Sequence, residues 1–237
     1  MRNTLYFKKI IYNFILLLTT SFLIISFSSH ARGVALGATR VIYPQLAKQT
    51  SININNSSPD SRFLIQSWVE DKNSKKSNDF IVTPPLFVSK AKSENSLRIM
   101  YVGKPLPNDR ESIFWLNAKA IPELDTENIT NKNVLQLAIV SRIKLFVRPS
   151  NLNMSAADAK DKIKFKYHGD ILDIKNPTPY YMTLVRLTLG GKLLPNSMIP
   201  PFHTSTLKVP TGLDKTITFQ TINDYGAETP VQKGVEE

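Results

Sequence analysis

The stretch from Asn133 to Pro149, NVLQLAIVSRIKLFVRP, limits what this chain can fold into more than any other. Leu135, Leu137, Ile139, Ile143, Leu145 and Val147 fall on odd positions, and their neighbours are mostly smaller or polar. Alternation with a period of two reads as a single β-strand, because successive side chains point to opposite faces. A strand of this length far exceeds the usual run of about 5–6 residues. It must outrun its neighbours, which leaves apolar side chains with no partner in their own sheet. A function is expected there.

Arg2, Lys8 and Lys9 precede an apolar run from Ile10 to Phe27, and Ser29-His30-Ala31 places small residues where a signal peptidase reads them. This is the pattern of a secretory signal peptide over residues 1–31, with the mature chain starting near Arg32 and no stable membrane association after cleavage. An uncleaved anchor is the competing reading, since the run is nearly long enough to span a bilayer. The remaining length suits one large β domain or two of ordinary size. The whole chain carries +11, from 30 basic and 19 acidic residues. Without the three cations of the leader, 27 basic residues face the same 19 acidic ones, a balance of +8 that favours an anionic partner. Nucleic acid is not expected as that partner, because no basic block interleaved with aromatics is present.

The chain has no cysteine, so an exported fold must rest on its core rather than on disulfides, and thiolate chemistry is excluded. Only His168 and His203 follow the leader, too few for a multi-histidine metal site, and no cofactor motif is present. No Gly-x-Ser-x-Gly elbow or phosphate loop appears either, so no catalytic residue is assigned and an enzyme is not expected.

From Val34 the sequence reads as strands between turn signals: Val34 to Ile42, Ser51 to Asn55, Arg62 to Glu70, Phe80 to Val82, Leu86 to Ser89, Ser96 to Val102 and Glu111 to Lys119. Thr83-Pro84-Pro85 forms a rigid kink in which a cis bond is allowed. With the long strand this spacing predicts an immunoglobulin-like sandwich over 32–149. A linker, 150–158, leads to a second all-β domain over 159–237, with strands at Lys162–Tyr167, Asp170–Lys175, Tyr180–Leu189, Leu193–Ile199, Thr204–Val209 and Asp214–Asn223. The short polar tail from Ala227 predicts a last strand that is reduced or missing. Ala156 to Lys160 can form one helical turn at most. Three cations stand out inside or beside apolar strands: Arg40, Lys144 and Arg148. On residue chemistry alone, each is expected to snorkel from an apolar face or to pair locally.

Thr83-Pro84-Pro85, the run Asp109 to Trp115, Ile121-Pro122, Asn133 to Pro149, Asn176 to Tyr181 and Ile222 to Gly226 occur in an order that resembles the PapD-like periplasmic chaperones of pilus assembly. The resemblance implies an all-β boomerang of two immunoglobulin-like domains with a cleft between them. It implies that pilus subunits, which lack a final strand, borrow Leu135, Leu137 and Ile139 from the chaperone's donor strand. It further implies that Arg40 and Lys144 grip the subunit's C-terminal carboxylate, and that Glu111, Arg148 and Asp224 bridge the domains. An outer-membrane usher is then the second partner, the periplasm is the compartment, and the exposed strand makes a self-capping dimer an option. A short loop without cysteines (Glu123 to Asn133) places the chain in the short-loop branch associated with rod-type pili. A secreted adhesin or a pilus subunit with immunoglobulin-like domains is the alternative. Lys144 is even-numbered and the donors are odd, so a bulge or sharp twist is expected between Val140 and Ile143.

Overall fold

The computed structural model describes residues 11–14, 33–123 and 135–236. Apart from the helical residues Ile11–Phe14, the expected leader lies outside the described residues, as do Asn133, Val134 and the loop 124–132. Among the described residues no helix is long and apolar enough to cross a membrane. From Gly33 onward the chain forms one compact unit built on two cores.

The first core lies between two sheets. Strands β1 (Val34–Leu36), β2 (Arg40–Pro44), β3 (Thr50–Asn56), β4 (Phe63–Glu70), β5 (Phe80–Thr83), β6 (Leu86–Ser89), β7 (Ser93–Tyr101), β8 (Ser112–Pro122) and β9 (Ile139–Arg148) divide into the orders β1-β3-β7-β5 and β2-β9-β8-β4-β6. Alternation decides which side chains enter: Ile52 and Ile54 from β3, Ile65 and Val69 from β4, Leu97 and Ile99 from β7, and Leu145 and Val147 from β9. The tyrosine hydroxyl buried with them is satisfied: Tyr43 donates to the Ala47 carbonyl at 2.9 Å and accepts from the Tyr101 amide at 3.1 Å. The Thr83-Pro84 peptide is cis.

Two differences from the sequence reading bear on the site. The segment Val34–Ile42 is two strands rather than one. Residues 37–39 carry the chain from the first sheet, where β1 pairs antiparallel with β3, to the second, where β2 pairs parallel with β9. The long strand begins at Ile139, so Leu135 and Leu137 precede it. The reason is the partner: Ala120↔Ile139 is the last pair with β8, which ends at Pro122, a residue with no amide hydrogen to give.

The second core is framed by the sheet orders β15-β11-β10-β18 and β13-β12-β16-β17, with β14 also paired to β12. These strands are β10 (Lys164–His168), β11 (Ile171–Asn176), β12 (Met182–Leu189), β13 (Lys192–Leu193), β14 (Ser197–Ile199), β15 (His203–Lys208), β16 (Ile217–Thr221), β17 (Gln232–Lys233) and β18 (Val235–Glu236). The final strand exists as the two short pieces β17 and β18, and the expected strand Leu193–Ile199 is split into β13 and β14. One helical turn, Ala156–Ala159, is capped by Ser155, whose hydroxyl accepts from the Asp158 amide. A register shift lies in β12 between Val185 and Thr188, with Arg186 at φ 49. It changes parity, so Met182 and Leu184 point inward before it and Leu187 and Leu189 after it.

Asn176 ties this domain together. Its amide donates to the carbonyls of Tyr180 (2.7 Å), Ile199 (3.1 Å) and Pro200 (2.9 Å), and its Oδ1 accepts from the backbone and the hydroxyl of Thr178. The residue is fully buried, so its removal strands several polar groups away from water. Asn176→Ala is expected to destabilise the domain by on the order of 3 kcal/mol, read from the urea midpoint.

Candidate functional site

Strand β9 presents two different faces. Its odd face carries Leu145 and Val147, which are 0% and 1% exposed in the first core. Toward the N-terminus that face empties: Ile143 is only partly buried, and Ile139 is 69% exposed. Ahead of the strand, Leu137 and Leu135 are 67% and 81% exposed. The Gln136 side chain donates to the Pro122 carbonyl at 2.7 Å and holds this segment beside the end of β8.

From Lys144 onward the even face turns toward the second domain. Phe146 is buried with its ring 5.7 Å from that of Tyr181. Arg142 lies 4.0 Å over the Trp115 ring and pairs with Glu70 at 3.1 Å. Lys144 donates from Nζ to the Thr183 hydroxyl on β12 at 3.1 Å. Arg40 sits directly beside Lys144 in the parallel β2–β9 register, and its Nη1 donates to the Ile222 carbonyl at 3.3 Å. Arg40 Nε is buried without a partner. Burial lowers the Lys144 pKa, and the neighbouring Arg40 charge lowers it further. Burial also lowers the Arg40 pKa, partly offset by Asp224 and Glu111. Two half-desolvated cations thus stand side by side, with no carboxylate in ion-pair distance among the described residues.

Arg148 lies beyond Phe146 on the same face and is paired on both sides. Its Nε donates to Glu111 at 2.7 Å, and its two terminal nitrogens donate to the two Asp224 oxygens at 2.7 Å each. Glu111 is 3% exposed and also accepts from the Tyr181 amide at 2.8 Å. Burial raises the Glu111 pKa despite Arg148 beside it. The Arg148 pKa is raised, since its bonds to Asp224 and Glu111 outweigh its own burial. A cavity of about 270 Å³ opens here, walled by Arg40, Phe146 and Arg148 on one side and by Tyr180, Tyr181 and Asp224 on the other. Gly226, at φ +83, lets the turn after Asp224 come against Thr39; any side chain there would overlap the Thr39 hydroxyl.

The bulge expected between Val140 and Ile143 is absent, because β8–β9 pairing is continuous from Ser112↔Val147 to Ala120↔Ile139. Lys144 and Ile139 therefore stand on opposite faces of one regular strand. The expectation rested on giving Lys144 the same parity as Leu135, Leu137 and Ile139, and the regular pairing does not supply that match.

Residues 33–153 match the family model for the pili and flagellar-assembly chaperone PapD N-terminal domain, and residues 158–233 match the one for the pili assembly chaperone PapD C-terminal domain. The chain belongs to the PapD-like pilus-assembly chaperones. It is 50% identical over 220 residues to the probable fimbrial chaperone SfmC of Escherichia coli K12, covering 92% of this chain and 96% of that one. The periplasmic chaperone SfaE superposes with a TM-score of 0.75 at 46% identity, covering 86% of this chain and all of SfaE. The SafB chaperone of Salmonella enterica, solved in complex with the SafA pilin, matches with a TM-score of 0.76 at 33% identity over 88% and 98% of the two chains. The fold is therefore that of a PapD-like chaperone with two immunoglobulin-like domains.

The structure brings together Arg40 with Lys144, and Glu111 with Arg148 and Asp224; Leu135, Leu137 and Ile139 lie apart from both groups at the far end of the strand. Sequence reasoning missed Thr183 and the Ile222 carbonyl. A threonine within a strand and a backbone oxygen carry no signal of their own.

Proposed function

We propose that this chain is a non-enzymatic periplasmic chaperone that captures pilus subunits, lends them Leu135, Leu137 and Ile139, and grips their C-terminal carboxylate with Arg40 and Lys144. Delivery to an outer-membrane usher follows from the same reading, and residues 1–31 serve as the export signal. The observation that carries the proposal is an unfilled lane beside β9. Strand β2 flanks β9 only from the Arg40↔Lys144 pair onward, so among the described residues no strand pairs with that edge over Ile139–Ile143. The free edge sits next to the exposed apolar side chains.

The lane also fixes a direction. Strand β2 runs parallel to β9 and begins at Arg40. An added strand that continues the lane in the same sense ends just before Arg40, with its C-terminal carboxylate at the two cations. Run the other way, it would bring a terminal ammonium or uncapped amides against them, which like charge disfavours. Main-chain bonds along the edge supply affinity, and the carboxylate fixes the register. The Arg148 network, which joins Glu111 and Asp224, holds the two domains in one orientation around this lane.

Leu137→Asp is the direct test. The side chain is exposed in the free chain, so the variant is expected to keep its urea midpoint. In a subunit groove the new carboxylate would be buried unpaired, and capture should weaken by at least about a hundredfold. Co-purification of subunits at the level of the unchanged chain would refute the donor role.

A further inference from the structure

The carboxylate site is built by the first domain but aimed by the second. Thr183 and Ile222 form one rung of the second domain: the Ile222 amide donates to the Thr183 carbonyl at 3.1 Å, directly beyond the Leu184↔Thr221 pair of β12 and β16. Each member of that rung holds one cation. The Thr183 hydroxyl accepts from Lys144 at 3.1 Å, and the Ile222 carbonyl accepts from Arg40 at 3.3 Å. Neither contact involves Arg148, whose donors are taken by Glu111 and Asp224.

A rung of a sheet is a rigid ruler, because its two residues are fixed by backbone pairing. Long cationic side chains are not rigid, and ordering one costs rotamer entropy. We infer that the Thr183–Ile222 rung is a positioning element for the subunit carboxylate: it holds the Lys144 ammonium and the Arg40 guanidinium at a set spacing before ligand arrives, and leaves the Thr183 hydroxyl hydrogen free as a further donor. The hydroxyl has two acceptor lone pairs and one donor hydrogen, so it can accept from Lys144 and give to a carboxylate oxygen at once. The inference rests on the carboxylate-anchor reading above. It adds that the second domain, through Thr183, takes part in recognising the chain terminus.

The test uses a synthetic peptide of the final strand of a pilin encoded in the same genome, made as a free acid and as a C-terminal amide. The unchanged protein is expected to favour the acid by at least about tenfold. Thr183→Val, which keeps the shape and removes the hydroxyl, should lose most of that preference with little change in amide binding. Thr183→Ser should retain it. If Thr183→Val does not fold, Thr183→Ala provides the same comparison. A full acid preference in the hydroxyl-free variant would overturn this inference and leave the anchor reading standing. Tighter binding of the acid would also overturn it, since the bond to Lys144 would then be a latch that ligand must break. No acid preference in the unchanged protein would remove the anchor reading, and this inference with it.

Discussion

Lys144→Met is expected to leave the chain folded, and no less stable at neutral pH, while abolishing subunit capture. The methionine keeps the apolar stem and removes the ammonium. In the free chain that ammonium is half-buried beside Arg40, and its partner is a neutral hydroxyl. Its folded pKa lies below the unfolded value, so between the two the unfolded chain binds more protons and stability rises with pH. Below the folded pKa the cost of the buried charge is fully present. Removing the charge removes that cost. On the proposed reading the same ammonium meets a carboxylate in the complex, and truncating one partner of such a pair costs about 2–5 kcal/mol. Urea midpoints at pH 7 and pull-down of co-expressed subunits measure the two effects separately. A lowered midpoint together with normal capture would reverse both assignments.

Arg148→Ala is expected to act in the opposite way, through stability first. It leaves Glu111 buried against the Tyr181 amide with no countercharge, a loss of about 3–5 kcal/mol at neutral pH. Glu111 already has a raised folded pKa. Between the unfolded and folded values the native state holds a proton that the unfolded chain has released, so its contribution falls as pH rises through that window. Without Arg148 the folded pKa climbs further, and the window extends upward. The variant should therefore recover part of its deficit between pH 7.5 and pH 5, a trend that urea titration at the two values reads directly. Arg148→Lys should rescue little, because one ammonium cannot serve two carboxylates as the planar fork does. A midpoint unchanged by Arg148→Ala would show that the network carries no weight in the fold.

Much of this was readable from alternation. The core strands β4 and β9 lie where Phe63 to Glu70 and Ile143 to Val147 alternate, and Arg40, Lys144 and Arg148 stood out as cations in apolar surroundings. Alternation tells which face a side chain takes, not which strand lies beside it. The parallel pairing of β2 with β9 joins Arg40 to Lys144 across a long stretch of sequence, and no local pattern encodes it. The same blindness led to a bulge being placed in β9, where the pairing is regular. The real irregularity is in β12, where the inward residues pass from Leu184 to Leu187 with a change of parity. Thr183 was missed for a related reason. Its importance comes from facing Lys144 in space, and a threonine in a strand is usual.

The segment before β9 has a thermodynamic consequence. Residues 135–138 carry no strand pairing and are tied to the end of β8 through Gln136, so a subunit that pairs with them fixes their backbone further when it binds. Fixing four residues costs at most about 4–8 kcal/mol. Burying Leu135, Leu137 and Ile139 gains about 5–9 kcal/mol. The two nearly cancel, so on the proposed reading the apolar donors contribute little net affinity and chiefly decide which grooves are accepted. The balance of holding and letting go then falls on the strand edge and on two cations at its end, and a carrier that must surrender its cargo is served by a grip that small changes at one point can loosen.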